Sequence, residues 1–190
     1  MKLCRFPFRT AEMLLMVALT AGAADPRPGT TQVTGYAGLI TGIGTHSNVG
    51  IGVAYTASRR VALAAEFSYA PGGREFIGGQ RFGVESETDS YEFHAGFHYL
   101  FPRRRARLIP YGAFGMGGIY TSASTTIVSG TLPRQPMRAR ASSTDFYVNV
   151  GGGLRYYLSE HWGLRPELKL FAGQETFVRL AVGVFYQFGK

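Results

Sequence analysis

Three groups of residues in this chain are of types that do chemistry. Glu92, His94 and His98 share one parity of the run Tyr91 to Phe101, a carboxylate and two imidazoles of the kind that hold metal ions. His46 and Ser47 are neighbours, a base beside a hydroxyl, as acyl hydrolysis uses. Arginines gather in Pro102-Arg103-Arg104-Arg105-Ala106-Arg107 and recur at Arg74, Arg81, Arg134, Arg138 and Arg140, where phosphates or a partner surface would meet them.

Spacing weakens the first two groups. Residues four apart on a strand lie about 13 Å apart, too far for one ion with ligands near ~2 Å. His94 and His98 therefore read as two separate hydrogen-bonded histidines, and no metal or other cofactor is expected. His46 and Ser47, being adjacent, would point to opposite faces of a strand. Some glycines fall in GxGxxG-like patterns, but no helix follows them, so they mean close strand packing and not a phosphate cradle.

The elements that must position these residues are strands. In Phe177 to Lys190 one row is Val178, Leu180, Val182, Val184, Tyr186 and Phe188, and the other is Phe177, Arg179, Ala181, Gly183, Phe185 and Gln187. One face is apolar and ends in aromatics; the other mixes an arginine, small residues and a glutamine. Seven further strands are expected: Thr31 to Thr41, Val49 to Thr56, Val61 to Tyr69, Tyr91 to Phe101, Leu108 to Tyr120, Phe146 to Tyr157 and Leu164 to Leu170. The facing of the first is left open. In the fifth, Ile109 and Tyr111 share a row, but Phe114, Met116 and Tyr120 take the other, which predicts a bulge among the glycines.

The start of the chain has the pattern of a secretory signal. Lys2, Arg5 and Arg9 precede the apolar run Met13 to Leu19, and Ala21-Gly22-Ala23 supplies a small-residue cleavage site. The expected division is 1–23 signal peptide and 24–190 a single domain. Cys4, the one cysteine, would leave with the leader, so disulfide and thiolate chemistry are excluded from the domain.

Two regularities order the rest. The expected connections alternate long and short, with Gly42 to Asn48, Ala70 to Thr88, Thr121 to Ser143 and Phe171 to Thr176 long. With a periplasmic N-terminus, every short turn falls inside and every long loop outside, as in outer-membrane barrels. The charges of the strands, Glu66, Glu92, Arg155, Arg165, Glu167, Lys169 and Arg179, all stand opposite the apolar rows. Lys or Arg on a lipid face costs roughly 2–4 kcal/mol at the midplane, and that cost accounts for the segregation. A soluble barrel would invert the arrangement. The fold expected is all-β: an eight-stranded antiparallel transmembrane up-and-down β-barrel. Its interior would be a charge network of those seven residues, filled by side chains and not a wide pore. Tyr55, Tyr69, Tyr99, Tyr111, Tyr156, Trp162 and Tyr186 would sit at the membrane interfaces.

The runs Gly151-Gly152-Gly153-Leu154-Arg155-Tyr156-Tyr157-Leu158, Trp162-Gly163-Leu164-Arg165-Pro166-Glu167, Pro110-Tyr111-Gly112 and Val184-Phe185-Tyr186-Gln187-Phe188-Gly189 resemble the small outer-membrane β-barrels of the OmpA/OmpX type. The resemblance covers the chain after the leader. It implies the cell outer membrane and a last strand, with Tyr186 and Phe188, that the outer-membrane assembly machinery reads; it says little about activity, and no enzyme chemistry is expected. The function expected is a structural or surface-interaction role, as a monomer, with outer-membrane lipids and lipopolysaccharide as partners and no nucleic acid. The outer-loop contacts would be Arg74, Arg81, Arg134, Arg138 and Arg140. The alternative is a lipid-modifying enzyme, because His46-Ser47-Asn48 is similar to part of the His/Ser/Glu site of lipid A deacylase barrels. It departs from that site in having His and Ser adjacent and no lipid-facing Glu.

Overall fold

The structure, a computed structural model, describes residues 27–42, 45–72, 74–79, 82–102, 107–129 and 137–189; at 74–79, 82–87, 126–129 and 137–138 it describes the backbone alone. The expected signal peptide, Arg81, Arg134 and Arg103 to Arg105 lie outside the described residues.

Alternation marks the strands of the wall, and nine strands are described: β1 Thr31–Thr41, β2 Thr45–Thr56, β3 Val61–Ala70, β4 Arg74–Gly79, β5 Phe82–Leu100, β6 Leu108–Ser129, β7 Met137–Tyr157, β8 Trp162–Ala172 and β9 Thr176–Phe188. Consecutive strands pair antiparallel except β3 and β4; β1 pairs with β9, and β3 pairs with β5. Those two pairings close eight strands into a barrel, which removes the open edges of its wall. The exception is β4, which pairs only with the first half of β5 and stands outside the closed wall.

The wall has two unlike faces. Leu168, Leu180, Val182 and Phe93 are more than half exposed on the outside, while Glu167, Arg179 and Ala181 are buried inside. Among the described residues no helix is long and apolar enough to cross a membrane. The continuous apolar surface is the barrel's exterior.

Glycines let the strands and their side chains close up. A Cβ at Gly50 would run into the Tyr36 ring and the Phe67 carbonyl, and one at Gly163 into the Phe185 ring. At Gly42, just after β1, φ is +158°, and its Cβ would meet Phe177 on the neighbouring β9.

The structure corrects several expectations. Strand β6 has no bulge: its register against β5 and β7 runs unbroken, and Ile109, Tyr111 and Ala113 simply face inward. The apparent parity switch arose because the lumen is apolar at that end. Tyr111 is thus buried and not an interfacial ring. The segments expected as loops around Ala70 to Thr88 and Thr121 to Ser143 are largely strand, since β5, β6 and β7 run for 19, 22 and 21 residues. Gly42 to Asn48 is not a long loop either, because β2 begins at Thr45, and β8 and β9 are joined through 173–175 alone. Long connections at the outer end are therefore confined to one side of the barrel.

Candidate functional site

Inward rows from every strand of the wall meet in a layered lumen. Nearest the chain termini, Leu100, Ile109, Tyr111, Ala113, Tyr157 and Phe185 form an apolar layer. At the other end Tyr147, Phe171 and Phe177 form a second, with Ile40 and Ile119 against it; Phe171 and Phe177 stack at 4.5 Å. The ionised groups are held between the two.

Glu66 on β3 is the hub. Its Oε1 accepts from Arg165 Nη2 at 2.7 Å, and its Oε2 accepts from Arg179 Nη2 at 2.6 Å and Lys169 Nζ at 2.9 Å. Glu167 takes Lys169 at 2.9 Å and Arg179 at 3.3 Å, and Tyr111 donates its hydroxyl to it at 2.6 Å. Glu92 accepts from Ser68 at 2.9 Å and Tyr147 at 3.1 Å, with Arg179 Nη1 at 3.4 Å. His94 lies between two of these carboxylates. Its Nε2 is 3.2 Å from Glu66, and its Nδ1 is 3.0 Å from Glu92 but off the line of a hydrogen bond. Arg179 also donates to the Tyr36 hydroxyl at 3.1 Å and packs on the Tyr36 and Phe171 rings.

Buried charge persists only when paired and hydrogen-bonded, and three carboxylates shared among three cations meet that condition. Arg155 is the odd cation. It is fully buried, reaches His98 Nδ1 at 3.2 Å, and lies over the Tyr111 ring. The seven charged residues picked out by strand parity all lie in this lumen. Parity did not single out Tyr36, Ser68, Tyr111 or Tyr147 as members of the network. Tyr111 was expected at the membrane interface, the rows of the others placed them inside or left them open, and only the register across the barrel shows whom they meet.

A metal does not fit here. Ligand atoms of Glu66, His98 and Glu167 come within 4.8 Å of one another. Arg165, Lys169 and Arg179 already hold those carboxylates, and their charge would repel a cation. Nor do His46 and Ser47 form a nucleophile pair: both are exposed neighbours on β2, whose Asn48 turns inward.

Of the outer arginines, Arg140 is exposed on β7, and the structure describes only the backbone of Arg74 on β4 and Arg138 on β7. At the terminal end of the wall Tyr186 packs between Trp162 and Phe188, at 4.9 and 4.6 Å. At the other end Tyr91 packs between Tyr69 and Tyr120, at 5.2 and 6.4 Å. These are two aromatic girdles of the kind that sit at membrane interfaces.

A family model described as outer membrane protein beta-barrel domain matches residues 11–188. No curated protein matches the chain. Among solved structures, the attachment invasion locus protein Ail of Yersinia pestis is 15% identical with a TM-score of 0.57, over 85% of this chain and 100% of that one. Neisserial surface protein A is 14% identical at 0.54, over 84% and 96%. A major outer membrane protein from Thermus thermophilus is 11% identical at 0.55, over 83% and 99%. At such identities the likeness is one of fold.

Proposed function

This chain belongs to the outer membrane protein β-barrel domain family, and from that premise we propose that it is a monomeric surface-interaction barrel of the cell outer membrane, without enzyme chemistry. The observation that carries this reading is the height of one side of the barrel. Strand β8 pairs with β7 only as far as Val148↔Ala172, while β7 continues back to Met137. With β4, the first half of β5 and the second half of β6, it makes a sheet that rises beyond the rim, and its outermost strands β4 and β7 each have one edge unpaired among the described residues. Open strand edges are templates for a partner's backbone.

The lumen serves the barrel as ballast. The ionic layer, closed above and below by aromatic layers, supports a filled interior and not a wide pore. Tyr186 and Phe188, at the end of the last strand, are the residues offered to the outer-membrane assembly machinery. Outer-membrane lipids and lipopolysaccharide surround the wall.

Replacing residues 122–142 by a short turn tests the reading. Cells carrying the trimmed chain should keep wild-type outer-membrane levels and heat-modifiable migration on gels, yet lose adhesion to surfaces or other cells. Equal adhesion by trimmed and full-length chains would overturn it, as would large conductance steps from the intact barrel in planar bilayers.

A further inference from the structure

The outer wall is not uniformly smooth. Where β8 ends, a groove of about 540 Å³ is lined by Phe93, Met116, Gly118, Phe146 and Val148, with Ala172 at its side. Its size is within the roughly 300–1,000 Å³ range of small-ligand sites. The register explains it. Phe93 on β5 pairs with Gly118 on β6, which pairs with Phe146 on β7, so two rings flank a position with no side chain. Phe146, at 79% exposed, is the most exposed large apolar residue of the wall. Nothing on β8 covers it, because β8 stops at Ala172.

The groove lies one step below the Tyr69–Tyr91–Tyr120 girdle, on the face whose lower rows are wholly apolar. That places it in hydrocarbon just beneath the outer interface. The girdle is broken directly above it, for Tyr120 pairs with Thr144 on β7 and not with another ring. From Thr144 the same face continues through Ser142 to Arg140, and all three are exposed. Ser122 and Ser124 stand opposite Ser142 and Arg140 on β6. An apolar slot thus opens upward, through a gap in the aromatic belt, onto a track of hydroxyls ending in a guanidinium.

We propose that this slot holds one acyl chain of a phosphorylated, multiply acylated outer-leaflet glycolipid, whose sugar and phosphate lie over Thr144, Ser142 and Arg140. The inference rests on the outer-membrane reading and deepens it by assigning a lipid site. Hydroxyls suit a sugar, and an arginine suits a phosphate. A second protein chain is disfavoured as occupant, because the groove is a local hollow between two rings in hydrocarbon and not an extended complementary face.

The test uses the whole barrel in nanodiscs of phosphatidylcholine carrying a small fraction of lipid A with a photoreactive group on one acyl chain. Crosslinks should concentrate on Phe93, Met116, Phe146 and Val148. Gly118→Leu should fill the slot, because a Cβ there meets nothing closer than the Asp145 carbonyl at 3.5 Å and the Phe146 ring at 3.9 Å. Yield at those positions should fall roughly tenfold. Arg140→Gln should remove most of the preference for lipid A over an equally labelled phosphatidylethanolamine. Even labelling round the wall, equal labelling by both lipids in the wild type, or crosslinked dimers through Phe146 would each overturn the proposal. Heat-modifiable migration read on the same samples separates the two readings. A barrel that inserts but labels evenly fails this inference alone, whereas a chain that does not insert fails the outer-membrane reading itself.

Discussion

Strands β5, β6 and β7 each run through two regions of the molecule, and the residue pattern changes where they leave the closed wall. Within the wall, Phe93, Met116 and Val148 face out while Glu92, His94 and Asn149 face in. Above it, β6 and β7 read Thr121-Ser122-Ala123-Ser124-Thr125 and Ala139-Arg140-Ala141-Ser142-Ser143-Thr144, with little difference between faces. The backbone register is the same throughout. What differs is the surroundings. Hydrocarbon on one side and a closed lumen on the other enforce alternation, and water on both sides of the rising sheet removes the requirement.

Breaking the hub of the wall should have the largest effect. Glu66→Gln leaves Arg165, Lys169 and Arg179 short of a shared carboxylate. A loss of about 3–5 kcal/mol is expected in urea unfolding from lipid vesicles. A loss below ~1 kcal/mol would mean that the ionic layer is not what the wall depends on. Reversing the outer face comes next: Leu168→Arg should cost about 2–4 kcal/mol in the same measurement, and most in bilayers whose midplane meets that residue. If it cost nothing, Leu168 would not face lipid. Tyr111→Phe removes one hydroxyl from Glu167 and should cost about 1–2 kcal/mol, with native-like migration retained. Arg140→Gln, on the rising sheet, should change stability by no more than ~0.5 kcal/mol. A larger loss there would show that the sheet and the wall are energetically one unit.

The same contrast explains what could be read from the chain beforehand. Alternation in the wall is forced by a cost of several kcal/mol, so the facing of Arg155, Glu167 and Arg179 was legible from parity alone. Where the lumen turns apolar, parity loses its sign. Ile109 and Tyr111 have the character of lipid-facing residues, so in the sequence their inward position has the pattern of a bulge. The polar halves of β5 to β7 lack a sustained row of large apolar residues, so they read as loops. Partner choice within the network was beyond reach: Glu66 meets Arg165, Lys169 and Arg179 only because closure brings β3 opposite β8 and β9. The groove beside Phe146 was hidden likewise, since it depends on where β8 stops.

The claim that all of this rests on is the direction of the side chains, and contacts between lipid and protein methyl groups test it most directly. In nanodiscs, intermolecular NOEs from acyl-chain protons should reach the methyls of Leu168, Leu180, Val182 and Val184 and be absent at Ala54, Ala62 and Ala181. Acyl-chain NOEs to those alanines, with none to Leu168 or Val182, would contradict the account.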